Sequence, residues 1–376
     1  MSWKKLLFKD FITLQRGFDL TKTQMKEGEV PVLGSNCIIG YHNESKVTPQ
    51  GVVTGRSGTL GVVQFIEKDF WPHNTALWVK DFKGNIPRFV YYKLQTLHLE
   101  NFNGGASVPT LNRNVLDTLP VSAPDVETQS KIATTLSNYD DLIENNRRRI
   151  QLLERSLHLL YKEWFVHLRF PSHEHNKIID GIPEGWQTGT VADFYKTSSG
   201  GTPSRKRPEF FTGEINWVKT QELNEGFIFS SDEKITEEAV KCSSAKVFPE
   251  ETVLVAMYGA TIGQTAILAV PAATNQACCG IIQNHPNAHY IHAFLFFREN
   301  KQGLTNLSQG SAQNNISQEI IKTYPMVLPT KMLMAQFVDY SKPVFRQIKN
   351  LSLQNRQLQQ ARDLLLPKLM SGAIGV

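Results

Sequence analysis

A chain of 376 residues has room for two to three domains, and 41% hydrophobic with 20% charged residues is the balance of a folded, water-exposed protein. The 40 Lys and Arg against 35 Asp and Glu leave a net charge of +5, which permits a nucleic-acid partner without demanding one. No run approaches the ~18 apolar residues of a membrane-spanning helix, and the opening Met1-Ser2-Trp3-Lys4-Lys5-Leu6-Leu7 lacks the features of a secretory signal, so no membrane and a cytoplasmic location are expected.

Residues 1–126 read as a first globular segment. Val52-Val53-Thr54, Val62-Val63-Gln64-Phe65-Ile66 and Ala76-Leu77-Trp78-Val79 are short β-type runs punctuated by Gly, and 87–99 has the pattern of a short amphipathic helix. Gly55-Arg56-Ser57-Gly58-Thr59-Leu60-Gly61 lacks the Lys-Ser/Thr ending of a phosphate loop and the G-x-G-x-x-G spacing. It reads instead as a tight turn in which Gly allows positive φ. Such a turn would hold Arg56 and Ser57 out at a surface, where a planar guanidinium can reach a guanine edge or a phosphate. Asn74 and Arg113 are the other base-contact candidates here, although an Asn in a turn also serves its own backbone.

A long helix is predicted next, over 127–165. Ile132, Leu136, Tyr139, Ile143, Asn146, Ile150, Leu153, Leu157, Leu160 and Trp164 alternate at spacings of four and three, the average of 3.5 that marks a coiled-coil seam. From Ile132 to Trp164 such a helix runs about 50 Å at 1.5 Å per residue. Residues 170–186, with Pro171, Pro183 and Gly185, form a linker. His167, His173 and His175 cluster nearby without H-E-x-x-H spacing and read as solvated, so no metal site is expected.

A second globular segment follows over 187–329. The loop Ser198-Ser199-Gly200-Gly201-Thr202-Pro203-Ser204-Arg205-Lys206-Arg207 combines a Gly-rich turn with clustered cations, a combination suited to a polyanion. Trp217-Val218-Lys219-Thr220-Gln221-Glu222 would put Lys219 and Gln221 on one face of a strand, with Lys suited to guanine and Gln to adenine. Val253-Leu254-Val255-Ala256-Met257 is a buried strand candidate. The turn after it carries Tyr258 where the first segment has Arg56 and Ser57, and Asn314 completes the candidate contacts. Cys37, Cys242, Cys278 and Cys279 have no metal spacing and are expected as reduced thiols. Tyr290–Arg298 parallels the first short helix.

A second long helix is predicted over 333–370. Phe337, Val344, Ile348, Leu351, Asn355, Leu358, Leu365 and Leu369 share the 3.5 frame, with Ser341 and Arg362 at the intervening positions. Pro343 is expected to break or delay its start, and Pro367 to end or kink it. Asn146 and Asn355 are polar seam residues of the kind that fix register at a cost in stability. A whole globular segment separates the two helices, so the chain can return and lay them antiparallel.

The chain also repeats itself. Thr59-Leu60-Gly61 lies over Thr261-Ile262-Gly263 at an offset of 202, and His73-Asn74-Thr75-Ala76 over Thr274-Asn275-Gln276-Ala277 at 201. Gly105-Ala106-Ser107 lies over Gly310-Ser311-Ala312, and Leu119-Pro120-Val121 over Tyr324-Pro325-Met326, both at 205. Ordered matches with a slowly drifting offset indicate duplication, and a period this long means paired domains rather than a solenoid. No Ser-His-Asp or Cys-His constellation, amino-methyltransferase Asn-Pro-Pro-Tyr or helicase motif is present, so a non-catalytic chain is expected. The rival readings are a duplicated stand-alone DNA-modifying enzyme and a coiled-coil scaffold without a nucleic-acid partner.

Several stretches together resemble the specificity subunit of type I restriction–modification systems. They are Ser199-Gly200-Gly201-Thr202-Pro203-Ser204, Gly213-Glu214-Ile215-Asn216-Trp217, Tyr258-Gly259-Ala260-Thr261-Ile262-Gly263, Thr274-Asn275-Gln276-Ala277, and Gln309-Gly310-Ser311 with Asn315-Ile316-Ser317. Gln129-Ser130-Lys131-Ile132-Ala133 and the run from Leu160-Tyr161-Lys162-Glu163-Trp164 to Pro171 look like the family's central region, and Leu369-Met370-Ser371-Gly372 like its C-terminal helix end. The first half has no Gly-Gly-Thr-Pro equivalent. The resemblance implies an α/β (α+β) fold with two similar target recognition domains, 1–126 and 171–329. They are separated by two long helices, 127–170 and 330–376, forming an antiparallel coiled coil with a pseudo-twofold internal repeat. Each domain would read one half of a split DNA sequence, and the helices would set the gap. The implied partners are double-stranded DNA, two modification subunits bringing S-adenosylmethionine, and restriction subunits bringing ATP- and magnesium-dependent chemistry. No cofactor is implied for this chain itself.

Overall fold

The structure is a computed structural model that describes residues 3–102, 109–308 and 315–376. It divides into two compact units, residues 1–145 with 355–376, and residues 146–354. Among the described residues no helix is long and apolar enough to cross a membrane.

The first unit contains β1 (Lys4–Leu7), α1 (Phe8–Phe11), β2 (Thr13–Arg16), β3 (Val30–Leu33), β4 (Ile38–His42), β5 (Gly51–Gly55), β6 (Val63–Ile66), β7 (Trp71–Pro72), β8 (Ala76–Asp81), α2 (Pro87–Gln95), α3 (Arg113–Leu116) and β9 (Pro120–Ala123), and then enters α4 (Val126–Tyr161). Strands pair as β2-β8-β5-β6, as β4-β3-β7 and as the ribbon β1-β9. β5 is buried along its whole length. Its run of Val and Thr without a charge suits a central strand. α2 starts with Pro at its first turn, where a missing N–H costs nothing. It lays Phe89, Val90 and Leu94 into a core shared with Phe8, Phe11, Leu14 and Val52.

The second unit carries β10 (Ile178–Ile179), β11 (Ile182–Pro183), β12 (Gln187–Thr190), α5 (Val191–Phe194), β13 (Tyr195–Ser199), β14 (Ile215–Val218), β15 (Phe227–Ile228), β16 (Glu233–Ile235), α6 (Glu237–Lys241), β17 (Val247–Phe248), β18 (Val253–Ala256), β19 (Thr265–Leu268), β20 (Ala272–Thr274), β21 (Cys278–Gln283), α7 (Tyr290–Glu299), α8 (Lys301–Ser308), α9 (Gln318–Thr323) and β22 (Pro325–Leu328), before α10 (Lys331–Ser371). Its sheets are β13-β21-β18-β19-β15, β16-β14-β20-β17 and the ribbon β12-β22. The linker is thus not featureless, since β10 and β11 form a short hairpin within it.

The duplication is structural. β2, β8, β5 and β6 recur in the same order as β13, β21, β18 and β19, and the β3–β7 and β14–β20 pairs are both parallel. Leu33 pairs with Pro72 in one unit and Val218 with Thr274 in the other. The amide of the next residue then donates back in both: His73 to Leu33 O at 2.8 Å, Asn275 to Val218 O at 3.0 Å. These bonds make His73 equivalent to Asn275 and Asn74 to Gln276. The sequence match at this turn is therefore slipped by one residue, because setting Asn over Asn is attractive by type while only the backbone bonds carry the true offset of 202. The glycine-containing loop also has a first-half equivalent after all. Gly17 donates to Ala76 O as Gly200 donates to Cys278 O. A Cβ at either glycine would come within 2.1 Å of its neighbours, so only glycine fits.

The long helices are antiparallel. In the first unit the early turns of α4 (Ile132, Leu136) pack with the last turns of α10 (Leu365, Leu369, Met370), and Arg362 donates to Asp140 at 2.6 Å. In the second unit the end of α4 (Leu157, Tyr161) packs with the beginning of α10 (Phe337, Phe345, Ile348). Along the predicted seam Ile143, Leu351, Asn146 and Asn355 are buried, and Ile150, Leu153, Leu160, Leu358 and Leu365 are half-buried. After Tyr161 the helix widens into a π turn over Lys162–Val166. This brings Phe165 to 4.7 Å and Trp164 to 5.7 Å from the ring of Phe337.

The prolines behave otherwise than the sequence suggests. α10 is continuous through both Pro343 and Pro367. An interior proline costs roughly 3 kcal/mol, and each fully buried large apolar side chain returns about 1.5–3 kcal/mol. Phe345, Ile348 and Leu351 beyond Pro343, and Leu369 and Met370 beyond Pro367, are all nearly fully buried, so packing wins.

Candidate nucleic-acid interface

In each unit three chain segments meet at one end of the main sheet: the turn after its central strand, the turn before β8 or β21, and the loop after β2 or β13. The segment ahead of α3 or α9 joins them. In the first unit the amides of Arg56 and Ser57 both donate to Thr75 O, at 2.9 and 3.1 Å, and Leu111 N donates to Arg56 O at 2.9 Å. In the second, Met257 N donates to Ala277 O and Ile316 N to Met257 O, both at 2.9 Å. Ser57 bridges Thr110 as Tyr258 bridges Asn315. Gly61 and Gly263 both carry the positive φ that the turn requires.

The side chains on this shared frame differ. Arg56 is only half exposed, and its guanidinium folds back to donate to Asn74 O at 3.3 Å, so the turn does not hold it out as predicted. The double anchoring of Arg56 N and Ser57 N on Thr75 O draws this turn inward. Asn74 in turn donates to Asp19, which also holds Arg16 at 2.8 Å. Arg113 opens α3, and its guanidinium donates to Leu14 O at 3.3 Å.

The second unit gathers two of its candidate cations around one carboxylate. Arg205 grips Glu233 with two guanidinium nitrogens, at 2.6 and 3.2 Å, and Lys219 Nζ donates to the same carboxylate at 2.8 Å. Arg205, then Lys219, by hydrogen bonding and charge, pull the Glu233 carboxyl down to about 2. The Arg205 guanidinium also lies 4.1 Å from the Phe211 ring and 5.1 Å from that of Trp217. Such stacking on an aromatic face fixes a cation's direction. Lys219 and Gln221 do not share a strand face: β14 ends at Val218 and Gln221 is exposed on a short 3-10 turn, Thr220–Glu222. The Glu222 carboxylate accepts from Lys219 N at 3.0 Å and so turns the chain there. Tyr258 stays 40% exposed. Asn314, like 105–107 and 310–312, lies outside the described residues.

Sequence reasoning passed over Glu233, Asp19 and the Thr202–Gln276 hydrogen bond. A search for polyanion contacts selects cations and amides, and an acid that organises them leaves no such signal. Of the linker histidines, His173 is tied to Phe170 O at 2.9 Å, and no group that could hold a metal occurs among the described residues.

A family model described as "Type I restriction modification DNA specificity domain" matches residues 2–155 and again 183–357, once in each half. The chain belongs to this family. It is 27% identical to the type I restriction enzyme MjaIX specificity subunit of Methanocaldococcus jannaschii over 305 residues, covering 78% of this chain and 70% of the relative. It is 22% identical to the EcoR124I/EcoR124II specificity subunit of Escherichia coli over 370 residues, covering 89% and 86%. The type I S subunit from M. genitalium superposes with a TM-score of 0.66 at 16% identity over 98% of this chain and 96% of that one, so the two share a fold. Within this family the chain is a recognition subunit rather than a catalyst.

Proposed function

We propose that this chain is the DNA specificity subunit of a type I restriction–modification assembly, with one recognition domain for each half of a bipartite target. One observation carries the reading: the same three-segment tip is built twice on equivalent backbone bonds, and the two copies differ in the side chains they present. A common frame with different tips suits two readers of two sequences. Phosphate contacts would position each domain, and a few side chains would read base edges. Arg205, Lys219, Gln221 and Tyr258 are the second domain's candidates, with Arg56, Ser57, Asn74 and Arg113 in the first. The helices α4 and α10 would set the gap between half-sites.

Modification and restriction subunits, two of the former, would supply the chemistry. S-adenosylmethionine, ATP and magnesium belong on those partners. The test is methylome mapping of cells carrying this chain with its modification subunit, against cells lacking this chain. Methyladenine at one bipartite motif, lost on deletion, is the expected result. Unchanged methylation with partner expression verified would overturn the reading and favour a scaffold.

A further inference from the structure

The two units differ in one large respect, at the far edge of the main sheet. In the second unit β15 adds to β19 in parallel, with Phe227 beside Ile267 and Ile228 beside Leu268. Three backbone bonds fasten it: Glu225 N to Thr265 O, Ile267 N to Gly226 O and Ala269 N to Ile228 O, each 2.9 Å. Under it Thr265, Ile267, Leu268 and Ala269 are buried. Among the described residues the first unit's sheet stops at β6, the equivalent of β19. There Val63, Phe65 and Ile66 are only half-buried and Glu67 is exposed. The cause is loop length. The second unit spends residues 219–232 between β14 and β16, and β15 lies in that stretch. The first has only 34–37 between β3 and β4.

The space left beside β6 is a groove. Ile38 and Tyr41 of β4 line one side and Asp140, Asp141 and Glu144 of α4 another, with Phe65 and Ile66 along β6. A second cleft adjoins it at Phe65, Glu67 and Arg88, walled by the small residues Ser130, Ala133, Thr134 and Ser137 of α4. Ile38, Ile39 and Tyr41 are 48%, 41% and 55% exposed, an apolar patch next to an open strand edge. Counted from the equivalent strand ends, Asp140 stands where α10 has Phe345, the residue whose ring meets Phe227 at 6.3 Å. An aromatic wall is thus replaced by an acidic one, in which Asp140 pairs with Arg362 at 2.6 Å and Arg88, lying over the Phe65 ring, links Asp141 at 3.6 Å to Glu67 at 2.8 Å.

We infer that the β6 edge of the first unit is a docking site for an extended segment of a partner protein, with aromatic or aliphatic residues at alternate positions and Lys or Arg flanking them. The segment adds as a strand, as β15 does in the sister unit. Main-chain bonds would supply affinity, while the apolar groove and acidic wall would supply choice. The outward amides are those of Phe65 and Glu67, the equivalents of Ile267 and Ala269. The inference is independent of what the loop tips bind.

The experiment is hydrogen–deuterium exchange on the full chain with and without 1 mM (a chosen dose, about saturating for the weakest useful affinity) of the peptide KKGFIFSK, whose core copies residues 226–230. Exchange over residues 62–68 should slow about fivefold or more, a strand's amides being protected once paired. Glu67→Pro removes one outward donor and should abolish the effect, and Glu67→Gln should retain most of it. Should the proline variant misfold, Asp141→Lys, which reverses the charge facing Arg88 on an exposed helix face, should weaken protection several-fold. No slowing over 62–68 in the wild type, slowing that Asp141→Lys leaves untouched, or slowing produced by raising the chain's own concentration without peptide would each overturn the inference.

Discussion

Replacing Glu233 by Gln tests how the charged tip of the second unit is held together. The carboxylate sits between Arg205 and Lys219 at 2.6 and 2.8 Å, and its titration falls from an ordinary 4.5 to about 2. At about 1.4 kcal/mol per pH unit this shift corresponds to a ceiling of about 3 kcal/mol. The Glu233 side chain is 30% exposed and that of Arg205 55%. Solvent screening therefore cuts the figure to about 1 kcal/mol. The sign follows from a lowered carboxyl: the stabilisation is complete above about 4.5 and is lost as the pH falls toward 2. A unit of this size should melt roughly 2–4 °C lower per kcal/mol lost. Differential scanning calorimetry of wild type and Glu233→Gln should then show a deficit of that order at pH 6–8, shrinking below 4.5. Equal melting at neutral pH, or a deficit that persists undiminished in acid, would refute the argument that this carboxylate is a working counter-ion.

Other expectations follow from the same geometry. Arg205→Ala should reduce the salt dependence of DNA binding by about one in log–log slope if Arg205 meets a phosphate, whereas a base contact would relax one position of the target at a cost of about 1–3 kcal/mol; binding titrations at several salt concentrations separate these, and no change in either would remove Arg205 from the interface. Deleting one heptad inside 136–160, with the matching heptad of α10, shortens each helix by about 10 Å. Methylome mapping should find a shorter gap with unchanged half-sites, and an unchanged gap would reject the spacer role. His289 and His292 are held neutral by burial, at about 4 and about 3 against an ordinary 6.5. Their unfolded forms take up protons first, so the second unit should lose stability as pH falls from about 6.5 toward 4. Calorimetry should show this slope flattened in a His289→Asn, His292→Gln variant, and an equal slope would assign it to other groups.

What was legible in the sequence is what repeats along it. The α4 and α10 seams could be read because burial at 3.5-residue spacing leaves its mark on residue type, and Ile132, Leu136, Leu157 and Ile348 all proved buried. The Gly-punctuated runs of the first unit marked β5, β6 and β8 for a similar reason. β15 could not be read. It is two residues long, and its partner β19 lies far along the chain, so nothing local distinguishes Phe227-Ile228 from a buried loop. The one-residue slip at His73 has the same origin. Residue types favoured one alignment, and the backbone bonds that decide it are absent from a sequence. The inward fold of Arg56 depends on Thr75 and Asn74, eighteen or more residues away.

The hairpin between β14 and β16 does two things at once. Its residues 219–232 supply β15, which closes the sheet edge, and they begin with Lys219 and Gln221 and lead into Glu233, which organise the charged tip. The corresponding first-unit position for Glu233 is Gly40, since Val32 pairs with Gly40 as Trp217 pairs with Glu233. A short loop there forfeits both the closing strand and the carboxylate. The open β6 edge and the absence of a Glu233 counterpart are thus one difference seen at two ends of a single hairpin. Because the four-strand order, the shared turn bonds and the helix seams recur in both units all the same, the common frame and the tip residues it carries can vary separately. That separation is what a duplicated reader needs if its two halves are to recognise different sequences.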